Sequence, residues 1–139
     1  MSESGTRGLI AALYDTYRQR DLERFAALIH DDIDWVIHGP IEVFPFAGLR
    51  RGRPAVLQAL AMMSLSYSLE SYEPDFVIVD GDRAAIMADV GLTQLSTGRL
   101  LRFRAANFLR FRDGSLIEFR EFADSFDQVE QALGRLVEL

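Results

Sequence analysis

Asn107 and Glu121 have the residue types best suited to chemistry, because each is polar where the sequence pattern predicts an apolar side chain. An apolar cavity raises the pKa of a carboxyl group toward neutrality, so Glu121 could act as a general base or acid. The amide of Asn107 could donate hydrogen bonds to a developing enolate oxygen. The alternatives are that Glu121 is a structural acid bonded to Asn107 or to a tyrosine, and that Asn107 only satisfies Glu121.

A β-hairpin is predicted to place these two residues side by side. Apolar and charged residues alternate before and after the turn dipeptide Asp113-Gly114, with the period of half-buried strands. The register in which the apolar faces coincide pairs Arg112 with Leu116, Leu109 with Phe119 and Asn107 with Glu121. Because a buried carboxylate is costly unless it is paired, we interpret this face as the lining of a ligand cavity. An open sheet edge beside Glu121 is the alternative.

Three other polar residues could take part. His38, next to Gly39, could titrate near neutrality and relay a proton, although lone histidines on strands are often structural. Tyr14 and Tyr17 lie on the apolar stripe of a predicted helix, and one of them could turn its hydroxyl inward. Large side chains predicted as cavity walls, although core packing explains them nearly as well, are Trp35, Phe44, Phe46, Met62, Met63, Phe103 and Phe119.

The rest of the chain reads as helices first and strands afterwards. Helices are predicted at 6–20, after the capping residue Asp21, from Pro54 and after the capping residue Ser125. Further strands are predicted at 31–38, at 69–79 with an edge or bend at Pro74, and at 84–96. The segment 41–52 has no clean period and is interpreted as a loop, and as a candidate lid, over something apolar. This order predicts helices packed on one face of a three- or four-stranded antiparallel meander.

A two-residue turn at Thr97-Gly98 is predicted to set the register of the strand before the hairpin. The resulting pairs are Ala88 with Asn107 and Val90 with Ala105. Small residues near Asn107 would leave room above it. On the opposite face Arg104 falls near Asp124, and the charges there are interpreted as a dimer surface or as a solvated face.

Composition limits the class of protein. The 139 residues suit one α+β domain, 1–139. The chain has no cysteine and all 15 basic residues are arginine, which excludes disulfides, thiolate catalysis and a Schiff-base lysine. A net charge of −6 argues against nucleic-acid and membrane-surface partners. We expect a cytoplasmic protein from the polar start, and no cofactor or metal, since the two histidines are far apart.

Three stretches resemble the nuclear transport factor 2-like superfamily, in particular its SnoaL-like polyketide cyclases, ketosteroid isomerases and limonene-epoxide hydrolases. They are DDIDWVIHG, GLRRGRPAV and RFRDGSLIEFREFAD, the last leading into a final helix. The resemblance covers nearly the whole chain. It implies a cone-shaped α+β barrel, with helices packed in the concavity of a strongly curved mixed, mainly antiparallel sheet. It also implies a deep apolar pocket and a homodimer through the outer sheet face.

The resemblance also implies residue roles. Glu121 matches the inward acidic position of the epoxide hydrolases and cyclases, where aspartate is usual. Asn107 matches the position where ketosteroid isomerases place a protonated acid as an oxyanion donor. Tyr14 or Tyr17 resembles the isomerases' hydrogen-bonding tyrosine, and His38 lies near the stretch that holds their base.

The sequence therefore predicts an isomerase or cyclase that removes a proton beside a carbonyl in a small apolar molecule. Glu121, or His38, would be the base, and Asn107 with a tyrosine would hold the enolate oxygen. One alternative is a non-catalytic protein that binds a hydrophobic ligand. The other is a hydratase or an epoxide hydrolase-like enzyme. The resemblance argues against epoxide hydrolysis, because those hydrolases have an arginine and an aspartate on this strand, whereas this sequence has Asp89 but Met87 two residues before it.

Overall fold

The helices and strands occur in the predicted order. A computed structural model describes residues 2–139. The helices are α1 (Glu3–Arg18), α2 (Leu22–Ala27), α3 (Arg53–Ser66) and α4 (Ser125–Leu133). The strands are β1 (Ile29–Ile37), β2 (Gly48–Arg51), β3 (Tyr67–Asp80), β4 (Arg83–Gln94), β5 (Leu100–Arg112) and β6 (Ser115–Ala123).

One curved, open sheet organises the molecule. Within residues 2–139 it has six strands in the order β2-β1-β6-β5-β4-β3, with β1 parallel to β6 and the other pairs antiparallel. The predicted α+β class with a mixed, mainly antiparallel sheet is confirmed. The predicted four-stranded antiparallel meander is present as β3-β4-β5-β6. The sheet is larger than predicted, because β1 pairs with β6 and brings β2 with it. The hairpin that carries Asn107 and Glu121 is therefore central rather than at an edge.

The helices cover the inner face of this sheet. α1 and α3 bury apolar stripes against it, and the buried residues of these stripes are Ile10, Leu13, Tyr14, Val56, Leu60 and Met63. The side chain of Ser2 caps α1 by accepting from the N–H of Gly5, and Asp21 caps α2 by accepting from the N–H of Arg24. These caps fix where the helices begin, and so where α1 places its tyrosines over the sheet.

A β-bulge corrects the predicted register at the end of the β5–β6 hairpin. Asp113 and Gly114 both have positive φ, 53° and 77°, as a two-residue hairpin turn requires, and this turn pairs Arg112 with Ser115 rather than with Leu116. The apolar faces nevertheless demand that Leu109 face Phe119, as predicted. The register shift between Arg110 and Phe111 absorbs the one-residue difference.

The turn between β4 and β5 is wider than predicted. The backbone N–H of Gln94 donates to the carbonyl of Arg99 at 2.8 Å, so four residues, 95–98, separate the paired residues rather than the two at Thr97-Gly98. The pairing of β4 with β5 therefore shifts by two residues, which keeps the same face of each strand inward but changes which residues lie opposite each other. Ile86, not Ala88, lies opposite Asn107, and the predicted space above the amide is filled.

Three local expectations are also settled. β3 is an edge strand with a register shift beside Pro74, as the sequence indicated. The segment 41–52 is not entirely loop, because Gly48–Arg51 forms β2 against β1. Asp124, not Ser125, caps α4 by accepting from the N–H of Asp127. Arg104 pairs with Asp75 and Asp89, and not with Asp124 as expected.

Gly134 fixes the end of α4. Its φ is +71°, and an added Cβ would lie 2.6 Å from the guanidinium carbon of Arg99, which itself donates to the carbonyl of Ala132. We expect Gly134→Ala to lower the free energy of unfolding by about 1–2 kcal/mol, measured by urea denaturation. The matched control is Gly8→Ala in α1, which has no heavy atom within 4 Å of the added Cβ. Gly8→Ala should raise stability by about 0.5–1 kcal/mol, and equal effects at both sites would contradict this account.

Candidate active site

A cavity lies between the helices and the inner face of the sheet. Its volume is about 80 Å³, and its walls are mainly aromatic and aliphatic. Six of the predicted wall residues line it, namely Trp35, Phe44, Phe46, Met63, Phe103 and Phe119. Met62 lines a separate groove instead. The strong side chain stacking of Trp35 on Phe119, with ring centroids 4.1 Å apart, follows from their pairing on β1 and β6.

Asn107 and Glu121 lie directly opposite each other on β5 and β6, as predicted. Asn107 Nδ2 donates to Glu121 Oε1 at 3.1 Å. Asn107 has no exposed surface and is not a wall residue of the cavity, whereas Glu121 is partly buried and lines it. The expected direct contact of Asn107 with a ligand does not fit this geometry, because Ile86 occupies the neighbouring position and the amide is committed to side chains.

Two tyrosine hydroxyls complete the network around this pair. Tyr14 on α1 donates to Asn107 Oδ1 at 2.6 Å. The hydroxyl of Tyr72 on β3 lies 2.5 Å from Glu121 Oε1 and 2.8 Å from Asn107 Oδ1, so its single proton lies between two acceptors. Through these hydrogen bonds Asn107 links α1, the edge strand β3 and the carboxylate of Glu121, and it holds Glu121 Oε1 in one position.

Burial dominates the ionisation of this network. It raises the pKa of Glu121, while the hydrogen bonds from Tyr72 and Asn107 favour the carboxylate and act in the opposite direction. Burial and then the charge of Glu121 raise the pKa of Tyr14 and of Tyr72 well above the ordinary range, so both hydroxyls keep their protons. Burial raises the pKa of Tyr17 to about 12, although the nearby Arg20 opposes the rise.

Two polar atoms of the cavity wall remain available. Glu121 Oε2 has no hydrogen-bond partner among the described residues, yet it is not a fully buried atom, so it is open to the cavity. The hydroxyl of Tyr17, another wall residue, donates to no acceptor within residues 2–139, and the guanidinium of Arg20 lies close enough to donate to it and to lower its pKa. Its ring packs edge-on against that of Tyr72 at 5.7 Å, and the charge of Glu121 influences its pKa. A free carboxylate oxygen and a hydroxyl that can still donate therefore belong to one site.

His38 lies at the rim of the cavity. Its backbone N–H donates to the carbonyl of Glu121 at 2.9 Å, but its side chain is exposed and stacks on Phe122 with centroids 4.1 Å apart. No hydrogen bond joins its ring to the Glu121 carboxyl group in the described part of the chain. This position suits a contact at the entrance better than a proton relay.

Tyr72 is the main site residue that sequence reasoning missed. Counting back from the Gly81-Asp82 turn pairs Tyr72 with Gly91 and turns its side chain outward. The register shift between Pro74 and Phe76 moves the pairing by one, to Val90, and turns the side chain inward. Pro74 was the available signal, because a proline within a strand often marks a bulge.

The curved α+β sheet with helices in its concavity is the fold of nuclear transport factor 2-like proteins. The family model of the SnoaL-like domain matches residues 10–119. The chain therefore belongs to the SnoaL-like domain family, and the resemblance read from the sequence is confirmed.

Solved structures agree with this assignment. A candidate isomerase from Rhodopseudomonas palustris is 39% identical with a TM-score of 0.84, over 97% of this chain and 100% of its own. A candidate polyketide cyclase from Xanthomonas campestris is 20% identical with a TM-score of 0.78, over 93% and 97%. A protein from Catenulispora acidiphila with a ketosteroid isomerase-like fold, in complex with trimethylamine, is 15% identical with a TM-score of 0.77, over 91% and 92%. The last two share the fold alone. No protein of curated function matches the chain.

Two further findings concern the described residues. Among residues 2–139, no group of three or more histidine, cysteine, aspartate or glutamate side chains is arranged to hold a metal ion. In the same range, none of the helices combines the length and apolar character needed to cross a bilayer.

Proposed function

We propose that the protein is an isomerase or cyclase that removes a proton from the carbon beside a carbonyl group in a small apolar molecule. The observation that carries this proposal is that the two oxygen atoms of one carboxyl group have different surroundings. Glu121 Oε1 is held by Tyr72 and Asn107, while Oε2 is unpaired and open to an apolar cavity. A base needs this arrangement, because one oxygen must be fixed and the other free to take a proton.

In the proposed reaction, Glu121 Oε2 takes the proton and the C–H electron pair moves toward the carbonyl, forming an enolate. The hydroxyl of Tyr17 donates a hydrogen bond to the enolate oxygen, because it is the accessible hydroxyl not already committed to the network. In a β,γ-unsaturated ketone, return of the proton from Glu121 to the γ carbon moves the double bond into conjugation and completes an isomerisation. In a molecule with two carbonyl groups, the enolate carbon attacks the second carbonyl, and the resulting alkoxide takes the proton back from Glu121 to complete an aldol-type cyclisation.

Asn107, Tyr14 and Tyr72 act as positioning residues in this proposal. Each hydroxyl or amide donates to another member of the network rather than to the cavity. Their effect on the reaction passes through the position and pKa of Glu121. This replaces the sequence-based hypothesis that Asn107 and Tyr14 contact the reacting molecule.

The proposal is tested without knowing the natural substrate. Removal of a proton beside a carbonyl in deuterium oxide replaces hydrogen by deuterium, which proton NMR follows directly. We expect the protein to accelerate this exchange in at least one member of a panel of small ketones that suit a cavity of about 80 Å³, including acetone, butanone and methyl propyl ketone. Exchange no faster than in buffer for the whole panel would contradict a carbonyl base.

A protein that only binds a hydrophobic ligand is the alternative that the apolar walls favour. Such a protein would bind ketones without exchanging their protons. Its affinity would also survive Glu121→Gln, since that substitution preserves the shape of the side chain.

The raised pKa of Glu121 predicts the pH dependence. The base must be ionised, so kcat/KM for exchange should fall as pH decreases through a pKa above the ordinary value of 4.5. Tyr72→Phe removes a hydrogen bond that lowers this pKa. The acid limb of the pH profile, where kcat/KM falls with decreasing pH, should then move to higher pH. Tyr14→Phe should move it less, because Tyr14 bonds to Asn107 and not to the carboxylate. A limb that stays in place in Tyr72→Phe would argue against Glu121 as the base.

We also propose a homodimer that forms through the outer face of the sheet. Phe108 and Phe122 are exposed there with ring centroids 5.9 Å apart. A network of ion pairs surrounds them, formed by Asp34, Arg110, Glu118 and Arg120. Exposed aromatic residues within a paired polar rim suit a subunit interface. We expect sedimentation at twice the mass of one chain, and a single-chain mass for Phe108→Asp. A monomeric wild-type protein would contradict the interface.

A further inference from the structure

A second groove lies outside the cavity, between the segment before β2, the end of α3 and the β4–β5 turn. Its volume is about 460 Å³. Apolar side chains dominate its lining, among them Val43, Pro45, Met62, Leu65 and Leu95. Leu65 is 82% exposed and Leu95 is 53% exposed, so this apolar surface has no covering element among the described residues.

Phe46 separates this groove from the cavity. Its side chain lines both spaces and is only 8% exposed. Its ring packs edge-on against Tyr67 at 6.0 Å and in a tilted contact with Phe44 at 5.8 Å. Backbone hydrogen bonds from Val43 and Phe44 to the carbonyl of Pro40 hold the supporting turn. One aromatic side chain is thus the partition between two otherwise adjoining apolar spaces.

The volumes of the two spaces indicate how a ligand would use them. The inner cavity is about 80 Å³. An enclosed site of about 150 Å³ just accommodates benzene, and sites for larger ligands have about 300–1,000 Å³. Next to Glu121 there is therefore room for the reacting end of a molecule and for little more. The outer groove has the additional volume and the apolar surface that the remainder of a longer molecule would need.

We propose that the outer groove is a second binding subsite, which holds the distal part of an elongated ketone whose carbonyl end lies at Glu121. This inference depends on the carbonyl ligand of the proposed function and specifies its class. The ligand passes Phe46, whose ring turns aside to join the two spaces. Its middle part is hydrocarbon, since the walls on both sides of Phe46 are apolar.

Tyr67 indicates that the distal part also carries an oxygen atom. Tyr67 lines the groove and is only 7% exposed, yet its hydroxyl has no hydrogen-bond partner among the described residues and is not fully buried. The hydroxyl is therefore open to the groove, where it can form a hydrogen bond with whatever occupies it. A hydroxyl or carbonyl oxygen on the ligand would replace the water that otherwise bonds there.

Binding tests the inference separately from turnover. Trp35 is the single tryptophan and lines the inner cavity, so its fluorescence reports occupancy there. The probes are methyl propyl ketone and methyl heptyl ketone, which differ in chain length alone. We expect the longer ketone to bind the wild-type protein on the order of 100-fold more tightly, since each buried CH₂ contributes about fourfold.

The decisive variant is Leu65→Gln, and its matched control is Leu136→Gln. Both leucines are highly exposed, at 82% and 78%, so neither change should prevent folding, but only Leu65 lines the groove. We expect Leu65→Gln to reduce the ratio of the two affinities by about tenfold, and Leu136→Gln to leave it unchanged. Equal ratios in both variants, or no gain with chain length in the wild type, would overturn the inference. If chain length matters but no ketone exchanges its protons, the subsite stands and the proposed reaction fails.

Tyr67→Phe tests the distal oxygen. The probes are methyl heptyl ketone and the same ketone with a terminal hydroxyl group. We expect the variant to weaken binding of the hydroxylated ketone by about five- to tenfold relative to the unsubstituted one, as for the loss of one hydrogen bond. Equal effects on both ketones would show that Tyr67 contributes shape alone and would remove the oxygen from the ligand class.

Discussion

Glu121→Gln is expected to slow proton exchange in the reactive ketones by about 10²- to 10⁴-fold, the usual contribution of a general base. The amide can still accept from Tyr72 and Asn107 through its oxygen, so the network around Oε1 survives. It places an NH₂ group where Oε2 faced the cavity, and that group cannot take a proton. Rates would be measured by proton NMR in deuterium oxide, and a rate within a few-fold of the wild type would exclude Glu121 as the base.

Two controls separate lost chemistry from lost structure in this experiment. Glu118→Gln makes the same change on the outer face of β6, where Glu118 pairs with Arg110 and Arg120, and exchange should continue at the wild-type rate. Stability gives the second control. Burial raises the pKa of Glu121, so the folded state binds its proton more tightly and loses stability as pH rises through that pKa. Glu121→Gln removes this penalty, and its melting temperature at neutral pH should equal or exceed that of the wild type.

The central pairing of the site could be predicted from sequence because alternation leaves few choices of register. A slip of one residue between β5 and β6 would have buried Glu118 and Arg120, so the apolar faces alone place Asn107 opposite Glu121. The position of this pair along β5 and β6 was predictable for the same reason. The fold class followed from the order of the elements and from the family resemblance, which the curved mixed sheet bears out.

The neighbours of that pair could not be predicted, because they depend on turns and bulges whose effects on register are small and local. The wide turn at 95–98 changed the residue opposite Asn107 from Ala88 to Ile86. The shift at Pro74 turned Tyr72 inward and supplied the strongest contact to Glu121. Which helix tyrosine keeps a free hydroxyl depends on the distance from α1 to β5, and alternation says nothing about that distance.

Asn107→Leu is expected to have the largest effect on stability of the changes considered. The side chain is similar in size, but it leaves the Tyr14 hydroxyl without its acceptor and Glu121 Oε1 without one of its donors. Each unsatisfied buried group costs about 1–3 kcal/mol, so the free energy of unfolding should fall by about 2–5 kcal/mol. The loss should be larger at high pH than at low pH, because Asn107 donates to the carboxylate form of Glu121 and lowers its pKa. A loss below about 1 kcal/mol in urea denaturation would show that the network contributes little to folding.

Asn107→Asp tests the same contact through its charge. The new carboxyl group would lie beside that of Glu121, where Asn107 Nδ2 is now 3.1 Å from Oε1. When protonated it can donate to Glu121 as the amide does, so stability at about pH 4 should approach that of the wild type. Two ionised carboxylates at this distance repel each other, which raises the folded pKa of the pair above the unfolded values. The folded state then binds the extra proton more tightly, and the stability of Asn107→Asp should fall as pH rises through that folded pKa. The fall should be larger than in Asn107→Leu, which has the raised pKa of Glu121 alone. Urea denaturation at about pH 4 and about pH 8 measures the two changes, and a fall in Asn107→Asp no larger than in Asn107→Leu would mean that residues 107 and 121 do not share a buried contact.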